Sequence, residues 1–174
     1  MKIFGLAGWS GSGKTTLLVK LIPLIVERGI SVSTMKHAHH AFDIDRPGKD
    51  SHAHRLAGAS EVMIASANRF ALMHELRGAA EPTVEELIAH MTPVDLLLIE
   101  GYKTHAHDKL EVHRPSVGKP MLAATDPRVV AVASDVPLPG LSVPRLDIDD
   151  VAGIAEFILA HCGLARAPRR AAGA

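Results

Sequence analysis

The chain is poor in aromatic residues, with four Phe, one Trp and one Tyr among 174 positions. Hydrophobic residues nevertheless make up 47%, so its core must be aliphatic. Neither sign of charge is in excess: Lys plus Arg number 19, and so do Asp plus Glu. That balance removes any general attraction to nucleic acid or to an anionic membrane, and leaves only a local basic pocket as an anion site. Cysteine is nearly absent. Cys162 alone cannot form an internal disulfide, and it reads as a small buried residue in an apolar helical pattern. Long apolar runs are missing as well. None approaches the roughly 20 residues that span a bilayer, and the first, IFGLAG, enters a glycine-rich loop with no secretory signal pattern. The expectation is a cytoplasmic protein with no nucleic-acid or membrane partner.

What is present is an alternation of strand and helix patterns. KIFGLAG (2–8) is an apolar run closed by glycine and reads as a buried strand. Residues 14–28 set Leu17, Leu18, Leu21, Ile22 and Ile25 on one helical stripe, with Pro23 as an interior bend and Gly29 as a stop. ISVSTM (30–35) reads as a second strand, and residues 50–57 as a short helix ended by Gly58. EVMIAS (61–66) and FALMHE (70–75) read as two short strands joined at Asn68, and Thr83 with Glu86 makes a capping box. VDLLLIEG (94–101) is apolar throughout, as a strand covered on both faces should be. KLEVH (109–113) and VVAVAS (129–134) are further strands. A last helix starts at Asp149 or Asp150, carries Val151, Ile154, Ala155, Ile158 and Leu159, and stops at Gly163. This order predicts an α/β fold, a mostly parallel sheet flanked by helices, with ligands at the carboxyl ends of its strands. Residues 1–163 read as one nucleotide-binding domain and 164–174 as a disordered tail.

GWSGSGKT (8–15) matches the phosphate-loop pattern G-x-x-x-x-G-K-[ST], between the strand and the helix that such a loop requires. Its glycines let successive backbone N–H groups converge on one anion, and the new helix adds its positive end. The predicted phosphate contacts are Ser10, Gly11, Ser12, Gly13, Lys14, Thr15 and Thr16. Lys14, expected to be exposed, reaches the β- and γ-phosphates, the Thr15 hydroxyl ligates Mg²⁺, and Thr16 lies by the α-phosphate. Trp9 occupies the position where one subclass of P-loop dimers carries a second lysine, so activation in trans through such a lysine is not expected. Glu100 closes the apolar strand and is the predicted acidic partner for Mg²⁺ and catalysis, with Gly101 allowing backbone to approach the γ-phosphate. Asp95 begins the same strand and belongs at the opposite edge.

Eleven histidines are an unusual number, and His37, His39 and His40 open the segment KHAHHAFDIDRPGKDS (36–51). Together with GWSGSGKTTLLVKLIP, DLLLIEGYK and VAVASDVPL, this segment resembles the MobB family, the molybdopterin-guanine dinucleotide biosynthesis adapter proteins, from about residue 2 to about residue 161. The resemblance implies a P-loop NTPase that binds GTP with Mg²⁺ and hydrolyses it weakly. It implies a homodimer, paired through strands outside the nucleotide core; residues 66–75 and 105–120 are the candidates. The implied partners are molybdopterin and a molybdenum cofactor guanylyltransferase that joins GMP to it. In that setting His37, His39, His40 and Lys49 face phosphate oxygens of nucleotide or pterin. Asp45 or Asp50 holds the Mg²⁺ shell or orients water.

Plainer readings stand beside these. Asp50 also suits an N-cap for residues 51–57, and His52 and His54 suit solvated helix positions. His37, His39 and His40 lack a second ligand group at a recognisable spacing for a transition metal. Lys103, His105, His107 and Lys109 read either as the other wall of a basic cleft or as a solvated loop. The N-K-x-D element that pairs with guanine in many GTPases is absent, which leaves Asp126 or Asp135 to accept from the base. No arginine is an obvious finger, with Arg46 and Arg55 left open, in keeping with slow turnover. The leading function is a nucleotide-dependent adapter. A small-molecule kinase and a nickel metallochaperone GTPase are the alternatives.

Overall fold

The computed structural model describes residues 1–38 and 42–165. His39, His40 and most of the expected tail lie outside the described residues. The chain divides into two compact units, Met1–His37 with Thr92–Ala174, and Ala38–Met91. In chain order the elements are β1 (Lys2–Ala7), α1 (Lys14–Glu27), β2 (Val32–Lys36), α2 (Asp50–Leu56), β3 (Glu61–Ala65), β4 (Phe70–His74), α3 (Val84–Ala89), β5 (Leu96–Glu100), β6 (Lys109–Val112), β7 (Val129–Ser134), β8 (Arg145–Asp147) and α4 (Val151–His161).

The first unit is a six-stranded sheet in the order β2-β5-β1-β6-β7-β8, with every pairing parallel. This is the P-loop NTPase type of α/β fold. Each residue of β5 is buried, which is why its sequence lacks the polar alternation of a half-exposed strand. The helical stripes pair up. Leu17, Leu18, Leu21 and Ile25 of α1 and Ile154, Ala155, Ile158 and Leu159 of α4 join one core, and the two helices pack together. Full burial of each such Leu or Ile is worth roughly 1.5–3 kcal/mol. Phe4 is the sole aromatic residue of that core among the described residues, as the composition requires. α1 runs through Pro23 without a break. The carbonyl that loses its donor belongs to Val19, whose side chain is 64% exposed, so water can satisfy it.

β8 escapes the sequence reading. It is three residues long, follows Pro144, and carries Arg145 and Asp147, so it shows neither an apolar run nor an alternation. Its place at the sheet edge comes from pairing with β7. Burial also explains Cys162, whose thiol pKa is pushed up by loss of solvent.

The second unit holds α2, the antiparallel hairpin β3–β4 and α3. The capping box forms as expected, Glu86 N–H donating to Thr83 Oγ1 at 3.2 Å and Thr83 N–H to Glu86 Oε2 at 2.8 Å. The hairpin turns at Asn68, with the Ser66 hydroxyl accepting from Asn68 N–H and Arg69 N–H. Lys49 rather than Asp50 is the N-cap of α2, and it caps with no side-chain bond. Asp50 instead takes the first helical turn, where its charge complements the helix dipole. Among the described residues no helix is long and apolar enough to cross a membrane.

Candidate functional site

The carboxyl end of β1 feeds directly into the loop 8–13, and α1 begins at Lys14. Gly11 and Gly13 adopt φ of 80° and 99°, a region that penalises any side chain, so the pattern's glycines are conformational necessities. Gly13 is the N-cap of α1 and offers no side chain, so the first N–H groups of the helix lack a side-chain cap. Ser10, Gly11, Thr15 and Thr16 are exposed at the mouth of the loop. Ser12 is buried, and its hydroxyl has no partner among the described residues.

Lys14 differs from expectation. It is half-buried, and Nζ donates to the Trp9 carbonyl at 2.9 Å. Its pKa is lowered by burial, with nearby Glu100 opposing that shift. A phosphate oxygen is a stronger acceptor than this carbonyl, so the ammonium has reason to exchange one for the other.

On the β5 side of the loop, Thr15 Oγ1 donates to Glu100 Oε1 at 2.7 Å. Glu100 is buried, as the last residue of a strand covered on both faces. The Lys36 ammonium lies 3.3 Å from Glu100 Oε1 and 3.5 Å from Thr15 Oγ1. These two oxygens therefore already face a cation. Lys36 was missed by the sequence reading, which began its candidates at His37. Directly after Glu100 the chain turns through two left-handed residues, Gly101 at φ 97° and Tyr102 at φ 45°. A Cβ on Gly101 would stand 3.1 Å from the Cβ of His37, so the glycine makes room for the end of β2 as well as the turn. His37 is fixed there, its N–H donating to the Glu100 carbonyl and its ring 4.6 Å from that of Tyr102.

The other flank of the loop holds Arg114, which the sequence did not single out. Arg114, just beyond β6, donates from Nε to the Ser12 carbonyl at 3.2 Å and pairs through Nη1 with Asp135. Trp9 donates its indole N–H to the Pro120 carbonyl at 2.7 Å and lies under the Lys103 ammonium, 4.1 Å from its ring centre. No local signal marks Arg114; only strand order brings it to the loop.

Three expected residues of the first unit lie at the amino ends of β6 and β7, away from the 8–13 loop. Lys109 is 1% exposed and donates to the carbonyls of Lys103 and His105 and to Asp126. His107 is also buried, and its pKa is lowered to about 4 by burial first and by Lys109 and His105 next. Neither is a cleft wall or a solvated loop residue: both anchor the return from β5 to β6. Asp126 precedes β7, at the amino end of that strand, and is spent on Lys109, so it is not a base acceptor. Asp45, Lys49 and Asp50 fall in the second unit and line one cleft there. The Asp45 carboxylate is held by Arg55 at 2.9 Å, which also binds Asp43 and Glu75. Arg55 is thus no free finger. Among the described residues no three His, Cys, Asp or Glu side chains converge as metal ligands.

A family model described as MobB, molybdopterin guanine dinucleotide synthesis protein B, matches residues 3–135. The molybdopterin-guanine dinucleotide biosynthesis adapter protein of Escherichia coli (strain K12) is 45% identical over 160 residues, covering 90% of this chain and 91% of that protein. The Haemophilus influenzae protein of the same name is 42% identical over 159 residues, covering 90% and 86%. A crystal structure of molybdopterin-guanine biosynthesis protein B superposes with a TM-score of 0.72 at 28% identity, covering 91% of this chain and 99% of that one. The phosphate loop, the buried Glu100 and these likenesses over nine-tenths of the length lead to one assignment: the chain belongs to the MobB family.

Proposed function

We propose that this protein binds GTP with Mg²⁺ at the 8–15 loop, hydrolyses it slowly, and acts as an adapter in making molybdopterin guanine dinucleotide beside a guanylyltransferase. The observation that carries the nucleotide reading is the Thr15–Glu100 pair, 2.7 Å apart and contacted by the Lys36 ammonium. Two oxygens that favour a cation at the rim of a phosphate loop suit Mg²⁺, and Lys36 is exposed enough to swing aside. Mg²⁺, when bound, supplies charge neutralisation at the β- and γ-phosphate oxygens. The protein's own part is positional: loop N–H groups and Lys14 hold the phosphates, and buried Glu100 resists displacement by water. Family membership supports the adapter role. Arg114, tied to Asp135, is not free to act as a finger, in keeping with slow turnover.

The test of the role is a reconstituted guanylyltransferase reaction with and without this protein, in which dinucleotide yield rises with it; indifference ends the adapter reading. Within the site, Glu100→Gln is expected to cut Mg²⁺-dependent hydrolysis by about tenfold or more while GTP affinity falls only severalfold. Equal losses in both remove Glu100 from the metal role.

The protein is proposed to work as a homodimer through the β3–β4 hairpin. Met63, Phe70 and Leu72 are exposed on it, Met63 facing Leu72 across the strands and Phe70 facing Ala65. A two-stranded sheet is marginal without cover, and such a face is costly to leave in water. Phe70→Asp with Leu72→Asp should convert a dimer to a monomer in sedimentation. A wild-type monomer at micromolar concentration counts against the pairing.

A further inference from the structure

We propose that Asp149 is the residue that selects guanine, a reading that rests on nucleotide binding at the 8–15 loop. Strand order sets the direction in which a nucleotide lies. The Thr15–Glu100 pair stands on the β5 side of β1, so the terminal phosphates face that side. The nucleoside then leaves over the opposite side, toward β6, β7 and β8. A half-open cleft of about 90 Å³ lies there, lined by Gly13, Thr16, Leu17 and Lys20 at the start of α1, Arg114 beyond β6, and Ile148 and Asp149 beyond β8. Thr16, the expected neighbour of the α-phosphate, opens the cleft. Buried Leu17 and Ile148 give it an apolar floor, and the Arg114 guanidinium is fixed beside it by Ser12 and Asp135.

The carboxylates around this cleft are otherwise engaged. Asp135 binds Arg114, Asp147 accepts from Asp149 N–H and faces Arg145, and Asp150 caps α4 through Gly153 N–H. Asp149 lines the cleft beside Lys20; its N–H is spent on Asp147, and no hydrogen bond or ion pair engages its carboxylate among the described residues. Guanine carries N1–H and N2–H donors on one edge, which two carboxylate oxygens accept together. Adenine presents a lone pair at N1, and xanthine an oxygen at C2; both repel a carboxylate.

The experiment is equilibrium titration of the full chain with Mg²⁺ and GTP, XTP or ATP, using wild type, Asp149→Asn and Lys14→Ala. The wild type binds GTP more tightly than XTP or ATP. In Asp149→Asn, GTP affinity falls about tenfold to a hundredfold, as loss of charge-assisted bonds predicts. XTP affinity rises at the same time, because the new amide donates to the C2 oxygen. ATP affinity does not fall, because the carboxylate only repelled adenine N1, and retained ATP binding also reports an intact fold. If Asp149→Asn leaves the order of GTP over XTP unchanged while Lys14→Ala weakens all three, the Asp149 assignment is overturned and the loop reading stands. If Lys14→Ala weakens none of them, or the wild type binds none, the nucleotide reading fails and the Asp149 assignment falls with it.

Discussion

Lys14→Ala is expected to weaken GTP binding by about a hundredfold or more, the worth of two charge-assisted hydrogen bonds to phosphate. Stability should change little, by about 0.5 kcal/mol or less. The reasoning combines two observations. The ammonium is half-buried and its pKa is held below the usual lysine value by that burial, so it is tolerated where it sits without being favoured there. Among the described residues, alanine would sacrifice one hydrogen bond, to the Trp9 carbonyl, and the attraction to Glu100. A phosphate group would gain the whole charge at close range. Isothermal titration with GTP and Mg²⁺, paired with urea denaturation, reads both quantities. Affinity within about threefold of wild type would remove Lys14 from the site.

The second large effect is on folding. Glu111, on β6, is 0% exposed, and its carboxylate accepts from Leu122 N–H and Ala123 N–H, both at 2.8 Å. Those amides open a short 3₁₀ turn over Leu122–Ala124, whose N-cap residue Met121 supplies no side-chain hydrogen bond of its own. Glu111→Ala deletes both charge-assisted bonds and opens a cavity, for a loss of about 3 kcal/mol or more. Against a typical domain stability of about 5–15 kcal/mol this is severe. Glu111→Gln keeps one acceptor and should cost roughly half. The same turn follows Pro120, the acceptor of the Trp9 indole N–H. Trp9 is the only tryptophan in the chain, so its fluorescence should shift to the red in folded Glu111→Ala as the loop loosens. Chemical denaturation that shows a change below about 1 kcal/mol would refute this account of the buried carboxylate.

These two residues also mark the limits of reading a site along the chain. Lys14 is found by motif because the loop's chemistry is contiguous: strand, glycines, lysine, threonine and helix follow one another within residues 2–16. Glu100 is found because a strand-end acid after four consecutive apolar positions is a local pattern. Glu111 shows no such pattern, since its partners are backbone amides more than ten residues away whose direction depends on a turn. The capping box of α3 was readable for the opposite reason, both members lying within one turn of helix.

By itself, the sequence determined the phosphate loop, the class of fold, the aliphatic core and the strands that carry the loop and Glu100, because each rests on spacing within a few residues. Only the tertiary structure decided which charges meet. Lys36, Arg114 and Asp149 reach the loop because β2, β6 and β8 run parallel to β1 and end on the same side of the sheet. Lys109 and Asp126 are drawn to each other away from it because β6 and β7 begin on the far side. In a parallel sheet, neighbours at the strand ends come from distant parts of the chain. Register and strand order therefore choose them, and neither is written in local spacing.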